Sequence, residues 1–203
     1  MIIDLHLHTL YSEDSLIAPE DLIEQAIRVG LDGICITEHN SFQASEIVEE
    51  FAFGTPIKVF RGVEVTTDLG HLLVYGLDQK QWQPFENKSG LAIQELIEYV
   101  RGCGGVCVPA HPFRFQSPSV GDKLETLIGI FAIEGYNGKS DIEENRLAWE
   151  QAQKLNLKLI GGSDAHVIGD VGKCVTEFPK YIETMIDLVE QLKTGAFQAK
   201  YLF

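Results

Sequence analysis

The sequence predicts one α/β domain folded as a small β/α barrel, and three observations carry that expectation. Seven short, apolar, β-rich runs recur along the 203 residues, most of them separated by stretches of helical periodicity. Several runs are uninterrupted Val/Ile/Leu, the pattern of strands buried on both faces of a parallel sheet. The residues able to do chemistry fall at the ends of different runs. A closed barrel gathers such ends at one mouth, whereas an open sheet leaves its edge strands far apart.

In chain order the strand candidates are residues 2–7, 33–37, 57–65, 72–77, 106–109, 129–136 and 158–161. The helix candidate at 19–29 opens with Pro19 at an early helical position and stops at Gly30. Residues 41–51 start with Ser41 as a cap and carry Glu46, Glu49 and Glu50. A helix at 92–101 ends at Gly102, and one at 141–155 has an acidic start and a lysine near its close. The last, 181–193, runs into Thr194-Gly195. Residues 78–90 are polar, contain Gln83-Pro84 and close on Ser89-Gly90, so they read as a loop, as do 114–122. No repeat, low-complexity tract or linker divides the chain, and residues 1–203 are read as a single domain.

A 45% apolar content belongs to an ordinary globular protein. There is no apolar run of transmembrane length and no charged-then-apolar leader, so no membrane partner is expected and cytoplasm is the expected location. The formal charge of −14 excludes a strong nucleic-acid surface, which needs a basic stripe. Carboxylates that hold cations would offset part of that acidity locally. Cys35, Cys103, Cys107 and Cys174 lack zinc-finger pairing and read as reduced thiols. The sequence leaves the oligomeric state open.

All six histidines sit in short motifs with another histidine, a carboxylate or a sharp turn. His6 and His8 form a His-x-His on a strand candidate, so both imidazoles share a face; Asp4 has the same parity and is a candidate to orient one of them. His39 follows Glu38 in Thr-Glu-His-Asn. His71 stands before the fourth strand candidate, seven residues after Glu64. His111 lies in Pro-Ala-His-Pro, where Pro112 is expected to hold it extended. Asp164 and His166 close Ser-Asp-Ala-His. Glu64 ends an apolar strand, where a lone carboxylate is costly to desolvate unless it is paired or ligates a cation; the competing reading is a salt bridge to Arg61. Neutral imidazole and carboxylate are the ligands of zinc, manganese and iron, so the chain reads as a metalloenzyme with more than one metal.

Asp-Leu-His-Leu-His-Thr at 4–9, Ile-Thr-Glu-His-Asn at 36–40, Gly-Val-Glu at 62–64, Ala-His-Pro at 110–112 and Ser-Asp-Ala-His at 163–166 resemble the motifs of the polymerase and histidinol phosphatase (PHP) family, in order and spacing. The resemblance implies a distorted seven-stranded β/α barrel, a (β/α)7 relative of the TIM barrel. It also implies two or three divalent transition metals and hydrolysis of a phosphate ester on a small molecule, with a bridging hydroxide as nucleophile. It implies three subsites: His6, His8, Glu64 and Asp164; then Glu64 with His71 and His111; then His39, His166 and a residue of the Ser12–Ser15 loop. Family members show Ser-Asp-Gly or a histidine at that loop. Here there is an extra residue, so Glu13 and Asp14 both compete, and Asp14 is expected because it directly precedes the small Ser15.

His39 or His166 would ligate the third metal or act as acid toward the leaving group. Arg114, three residues beyond His111, is expected to grip a phosphate oxygen pair, with Lys173 a weaker candidate. Glu134 and Asn137 are expected to line or support the pocket. Two rival readings are an amidohydrolase-type hydrolase and a non-catalytic, metal-stabilised partner module. The first would need a metal-bridging lysine on a strand, and only Lys158 opens one.

Overall fold

Nine strands form where seven were expected. The computed structural model describes residues 1–203, with strands β1 (Ile2–Leu7), β2 (Gly33–Ile36), β3 (Lys58–Thr67), β4 (Gly70–Tyr75), β5 (Val106–Pro109), β6 (Ala132–Asn137), β7 (Lys158–Gly162), β8 (Cys174–Glu177) and β9 (Gln198–Tyr201). A curled seven-stranded sheet runs in the order β5-β4-β3-β2-β1-β8-β9, and β6 and β7 form a separate parallel pair. β1, β2 and β3 are mutually parallel. β4 returns antiparallel to β3 through a tight turn without an intervening helix, and β5 is antiparallel to β4.

The β6–β7 pair stands between β5 and β1, but the ladder does not run continuously round. The reason lies at the start of β1, where β8 occupies the free edge by pairing with Ile2 and Ile3. The Thr176 hydroxyl of β8 then bridges to β7, donating to Gly161 O (3.0 Å) and accepting from Gly161 N–H (2.9 Å). Only the far ends of β7 and β1 bond directly, through Asp164 N–H to His6 O (2.7 Å) and His8 N–H to Ala165 O (3.3 Å). The expectation of an α/β fold is thus met as a mixed fold with a curled seven-stranded sheet, while the continuous (β/α)7 barrel is not formed by the strand ladder.

Helices α1 (Pro19–Val29), α2 (Glu46–Ala52), α3 (Gln79–Trp82), α4 (Ile93–Gly102), α5 (Ile142–Leu155) and α6 (Met185–Thr194) cover this framework. Leu22, Ile23 and Ala26 of α1 and Val48 of α2 pack on Ile34 and Ile36 of β2. Leu96, Ile97 and Val100 of α4 cover Val63, Val65, Leu72 and Val74. Ala148 and Ala152 of α5 sit on Ile133 of β6. Leu188, Val189 and Leu192 of α6 join Ile3, Phe60, Tyr75 and Phe178 in the interior, plugging the end where Met1 O accepts from Phe178 N–H (2.8 Å).

Local chemistry sets the helix limits. α1 ends at Gly30, whose φ of 80° is left-handed. α5 starts from a reciprocal cap in which Asp141 accepts from Glu144 N–H (2.8 Å) and Glu144 accepts from Asp141 N–H (2.9 Å). The same device at Thr184 and Asp187 starts α6 four residues later than position 181. Ser41 caps only a 3₁₀ turn at Gln43–Ser45, with α2 following it. The expected loop at 78–90 contains α3, capped by Asp78. All four cysteines are free, three of them buried.

Two bulges break the two-residue alternation of side chains. In β1, Asp4 pairs with Ile34 and Leu7 with Ile36, so β1 spends one residue more than β2. Leu5 faces the interior cluster and Leu7 the α1 side, and His6 turns inward beside Leu5. The bulge leaves Asp4 on the other face, where its carboxylate accepts from Ser163 N–H (2.8 Å) and Gly172 N–H (3.0 Å). Asp4 therefore does not orient an imidazole, contrary to its parity in the sequence. In β6, Glu134 and Tyr136 pair with the successive residues Ile160 and Gly161, and Asn137 joins Glu134 inside.

β7 passes β1 so closely that a Cβ on Gly162 would lie 2.4 Å from the His6 Cβ and 2.8 Å from Glu134 Oε1. Gly162→Ala is therefore expected to cost about 1–3 kcal/mol through overpacking. Urea unfolding of EDTA-treated protein measures it, and an unchanged midpoint would contradict this contact.

Candidate metal centre

Glu64 of β3 is 1% exposed and has no lysine or arginine beside it. Its Oε2 lies 3.3 Å from His6 Nε2, 3.2 Å from His8 Nε2 and 3.0 Å from His39 Nδ1. Its Oε1 lies 3.0 Å from His71 Nδ1 and 3.1 Å from His111 Nε2. Arg61 turns outward to Glu49 (3.6 Å), so the reading of Glu64 as its salt-bridge partner fails. Asp164 Oδ1 adds a second acid, 3.6 Å from Nε2 of both His6 and His8.

The sixth histidine reaches the cluster from the other side. His166 Nε2 and His39 Nε2 flank the Asp14 carboxylate at 3.1 and 3.4 Å. Asp14, and not the exposed Glu13, is the acid of the 12–15 loop that faces these rings. Every histidine, Glu64, Asp164 and Asp14 thus converge, and all but Asp14 fall into three groups of mutually close donor atoms: His6, His8 and Asp164; Glu64, His71 and His111; His8, His39 and His166.

Which ring nitrogens carry protons follows from what faces them. His6 Nδ1 meets Glu134 Oε1 at 2.9 Å, an oxygen that can only accept, so Nδ1 is the protonated nitrogen. Glu134 also accepts from His111 N–H (2.8 Å) and Asn137 Nδ2 (2.9 Å), which fixes it. His166 Nδ1 donates to the Asp164 carbonyl at 2.8 Å. His8 Nδ1 lies 3.2 Å from Ser12 Oγ. The Nε2 lone pairs of His6 and His8 then face each other at 3.1 Å, beside Glu64 Oε2 and Asp164 Oδ1. With both rings neutral, four acceptors converge without a donor between them, a repulsive arrangement that either a second proton on His6 or a cation relieves. The donor set fits borderline divalent metals, which take imidazole and carboxylate.

The electrostatics say the same. Burial alone would push the His6 pKa down, but Glu134, Asp164 and Glu64 drive it well above the usual histidine value. Without a metal, a proton on His6 satisfies the surrounding acids. His8, equally buried, is pushed down to about 3 and is a neutral imidazole. Burial raises Glu64 and Asp164, yet the neighbouring His6 holds both well below the ordinary carboxylate range, helped at Asp164 by His111 and Arg114.

Local backbone strain aims two of these side chains. His111 has φ of 27° and Asp164 of 53°, both left-handed, at about 1–3 kcal/mol each. His111 is therefore not extended, as Pro112 led one to expect. Its N–H bond to Glu134 and its ring contact with Glu64 hold the bend. Arg114 donates from Nη2 to Asp164 Oδ2 (2.7 Å) and to Asn137 Oδ1, bracing the acid. Lys173 pairs with Asp170 at 2.6 Å instead of joining the cluster.

Sequence reasoning missed Glu38 and Ser12. Glu38 is fully buried and accepts from Thr9 N–H (3.0 Å), Thr9 Oγ1 (2.5 Å) and the Ser12 hydroxyl. Burial pushes its pKa up to about 7 against those donors. The argument applied to Glu64, that an acid at a strand tip needs a partner, applied equally to Glu38.

Because His6 must surrender its proton to ligate a cation, metal affinity should rise with pH and binding should release protons. Calorimetric titration of EDTA-stripped protein with Zn²⁺ or Mn²⁺ in buffers of different ionisation enthalpy measures this. Buffer-independent heats would contradict it.

A family model described as PHP-associated matches residues 143–197. An uncharacterized protein of Methanocaldococcus jannaschii is 28% identical over 187 residues, covering 88% of this chain and 70% of that protein. A Thermotoga maritima protein named "Probable histidinol-phosphatase" is 36% identical over 50 residues, 25% of this chain and 22% of that one. Three solved structures share the fold. PsfC of Pseudomonas syringae superposes with a TM-score of 0.79 at 21% identity, covering 98% of this chain and 91% of its own. A Bifidobacterium adolescentis protein classed as a metal-dependent phosphoesterase gives 0.64 at 19% identity, covering 81% and 87%. An amidohydrolase of Chromobacterium violaceum, with bound sulfate and no metal, gives 0.71 at 17% identity, covering 99% and 98%.

Proposed function

We propose that the chain is a PHP-family domain and a metal-dependent phosphoesterase acting on a small phosphorylated molecule. The observation that carries this reading is the convergence of His6 Nε2, His8 Nε2, Glu64 and Asp164 as four acceptors around one point. Two or three divalent cations would be held by His6, His8, Glu64 and Asp164, by Glu64 with His71 and His111, and by His39, His166 and Asp14. Zinc, manganese and iron all suit these donors. Cations held there would supply Lewis acidity toward phosphoryl oxygens and toward an attacking water at neutral pH.

The chain's own residues supply position and charge. Glu134, Asn137 and Arg114 fix His6 and Asp164. The Nη1 nitrogen of Arg114 has no protein partner among its bonds, which leaves part of the guanidinium for a phosphate oxygen. His39 and His166 are placed to ligate or to protonate a leaving oxygen. Beside Asp14 and His39 lies a cleft of 570 Å³, bordered by Tyr11, Glu13, Asn40, Ser41 and Asn87 with no lysine or arginine. Such a wall favours an uncharged, hydroxyl- or amide-bearing leaving group over a second phosphate.

The amidohydrolase reading needs a bridging lysine. Lys58 and Lys158 both open strands, but Lys58 pairs with Glu183 and Lys158 is exposed at the start of β7, and the bridging position would fall to the carboxylate of Glu64. A non-catalytic module has no need of a full donor set, and here nearly every motif position is filled, the 12–15 loop being the departure.

Turnover of p-nitrophenyl phosphate, bis-p-nitrophenyl phosphate and an anilide, each with Mn²⁺, Zn²⁺ and Fe²⁺, separates the three readings. Ester hydrolysis lost on EDTA treatment and abolished by Glu64→Gln is expected, and a metal-free preparation with full activity would refute the assignment. Arg114→Ala should weaken inhibition by inorganic phosphate about tenfold, the loss expected for one charge-assisted hydrogen bond; unchanged inhibition would remove Arg114 from the phosphate site.

A further inference from the structure

We propose that Glu38 is a positioning residue. Acting through the Ser12 hydroxyl, it holds the His8 imidazole in the Nδ1–H form, so that the Nε2 lone pair faces Glu64 and Asp164. The inference rests on the metal-centre reading above.

The argument is a count of hydrogens. Ser12 Oγ has one hydrogen and two lone pairs, and three neighbours: Glu38 Oε2, the His39 backbone N–H (3.2 Å) and His8 Nδ1 (3.2 Å). The His39 amide can only donate, which takes one lone pair. Glu38 in its ionised form, the state at the pH of the test below, can only accept, so the hydroxyl hydrogen goes to it. The remaining lone pair faces His8 Nδ1, which must therefore carry the proton. Each link is one-way, and the direction is set by the acid at its end.

Glu38 is well built for that task and poorly explained without it. It is fully buried, and its direct partners are neutral: Thr9 N–H at 3.0 and 3.2 Å, Thr9 Oγ1 at 2.5 Å, and the Ser12 hydroxyl. An amide could satisfy the threonine and serine contacts without the cost of burying charge. It would reverse the relay, however. The NH₂ group introduced by Glu38→Gln would donate to Ser12 Oγ, which already receives the His39 amide. The serine hydrogen would then turn to His8 Nδ1, and the ring proton would move to Nε2, where the cation should sit. His6 solves the same problem directly, with Glu134 against its Nδ1.

The test uses the full chain with ¹⁵N-labelled histidine, stripped of metal with EDTA at pH 8.5, and reads the His8 tautomer from long-range ¹H–¹⁵N correlations. The unmodified chain should show His8 protonated at Nδ1, and Glu38→Gln should show it protonated at Nε2. Ser12→Ala should give a mixture of the two, and Ser12→Thr, which keeps the hydroxyl, should restore the Nδ1–H form. In Zn²⁺ titrations, Glu38→Gln should weaken one metal equivalent about 10–100-fold, the usual cost of losing an outer-shell partner. That loss should vanish in the Ser12→Ala background. An unchanged tautomer in Glu38→Gln, or an equal affinity loss with and without Ser12, overturns the proposal. If Glu38→Gln fails to fold, the Ser12→Ala and Ser12→Thr pair decides, since a fixed Nδ1–H form in Ser12→Ala overturns it equally. The tautomer is read without metal or substrate, so it stands or falls separately from phosphoesterase activity.

Discussion

The Glu64 carboxylate, withdrawn from water, meets ring nitrogens of five histidines at distances between 3.0 and 3.3 Å, and no permanent cation of the chain stands beside it. Moving an acid out of water costs several kcal/mol unless positive charge returns to it. The protein does not supply that charge from lysine or arginine. It supplies imidazoles, whose lone pairs point at the same place as the carboxylate oxygens. Such a centre is frustrated by itself, and the proton that His6 retains against burial is the measure of that frustration.

Holding like-minded acceptors together requires a stiff frame, and the fold provides it at the backbone. The bulges in β1 and β6 each place two side chains inside where strict alternation would allow one. Left-handed residues at 111 and 164 turn the other two approaches inward. Both features store strain, and both are pinned by hydrogen bonds that the site itself needs: His111 N–H to Glu134, and Asp164 N–H to His6 O. The same bonds thus serve architecture and chemistry, which is why the site sits at strand ends and not on free loops.

Much of this was legible in the sequence. The seven apolar runs and the five expected helices carry strong one-dimensional signals, through residue type, glycine stops and caps. The convergence of the histidines, Glu64 and Asp164 was suggested by motif positions at strand ends, and Asp14 by the family resemblance alone. What escaped has a physical pattern. β9 is a polar edge strand, Gln-Ala-Lys-Tyr, with no apolar run to announce it. β8 is four residues long. A bulge has no residue signature in β1, so Asp4 was assigned the face of His6 and lost it. The left-handed bend at His111 overrode the preference imposed by Pro112, because tertiary hydrogen bonds outweigh a local bias of about 1–3 kcal/mol. Glu38 was hidden by its neighbour, since attention went to the histidine of the motif.

Exposure across the centre is graded, and the gradient gives the site a direction. The side chains of His6 and His8 are wholly buried and His111 is 1% exposed, whereas His71 is 14%, His39 26% and Asp14 56% exposed. The buried donors lie against Glu134 and Glu38, which leaves no path for a solute from that side. The partly exposed rings around Glu64 are His71 and His39, and the cation-free cleft opens beside His39 and Asp14. Charges on that side are screened by solvent, and those around His6 are not. A cation bound among His6, His8, Glu64 and Asp164 would feel the undiminished field of two buried acids. One beside Asp14 would share its acid with water. The three donor groups would therefore hold cations with unequal strength, the weakest on the side of the open cleft.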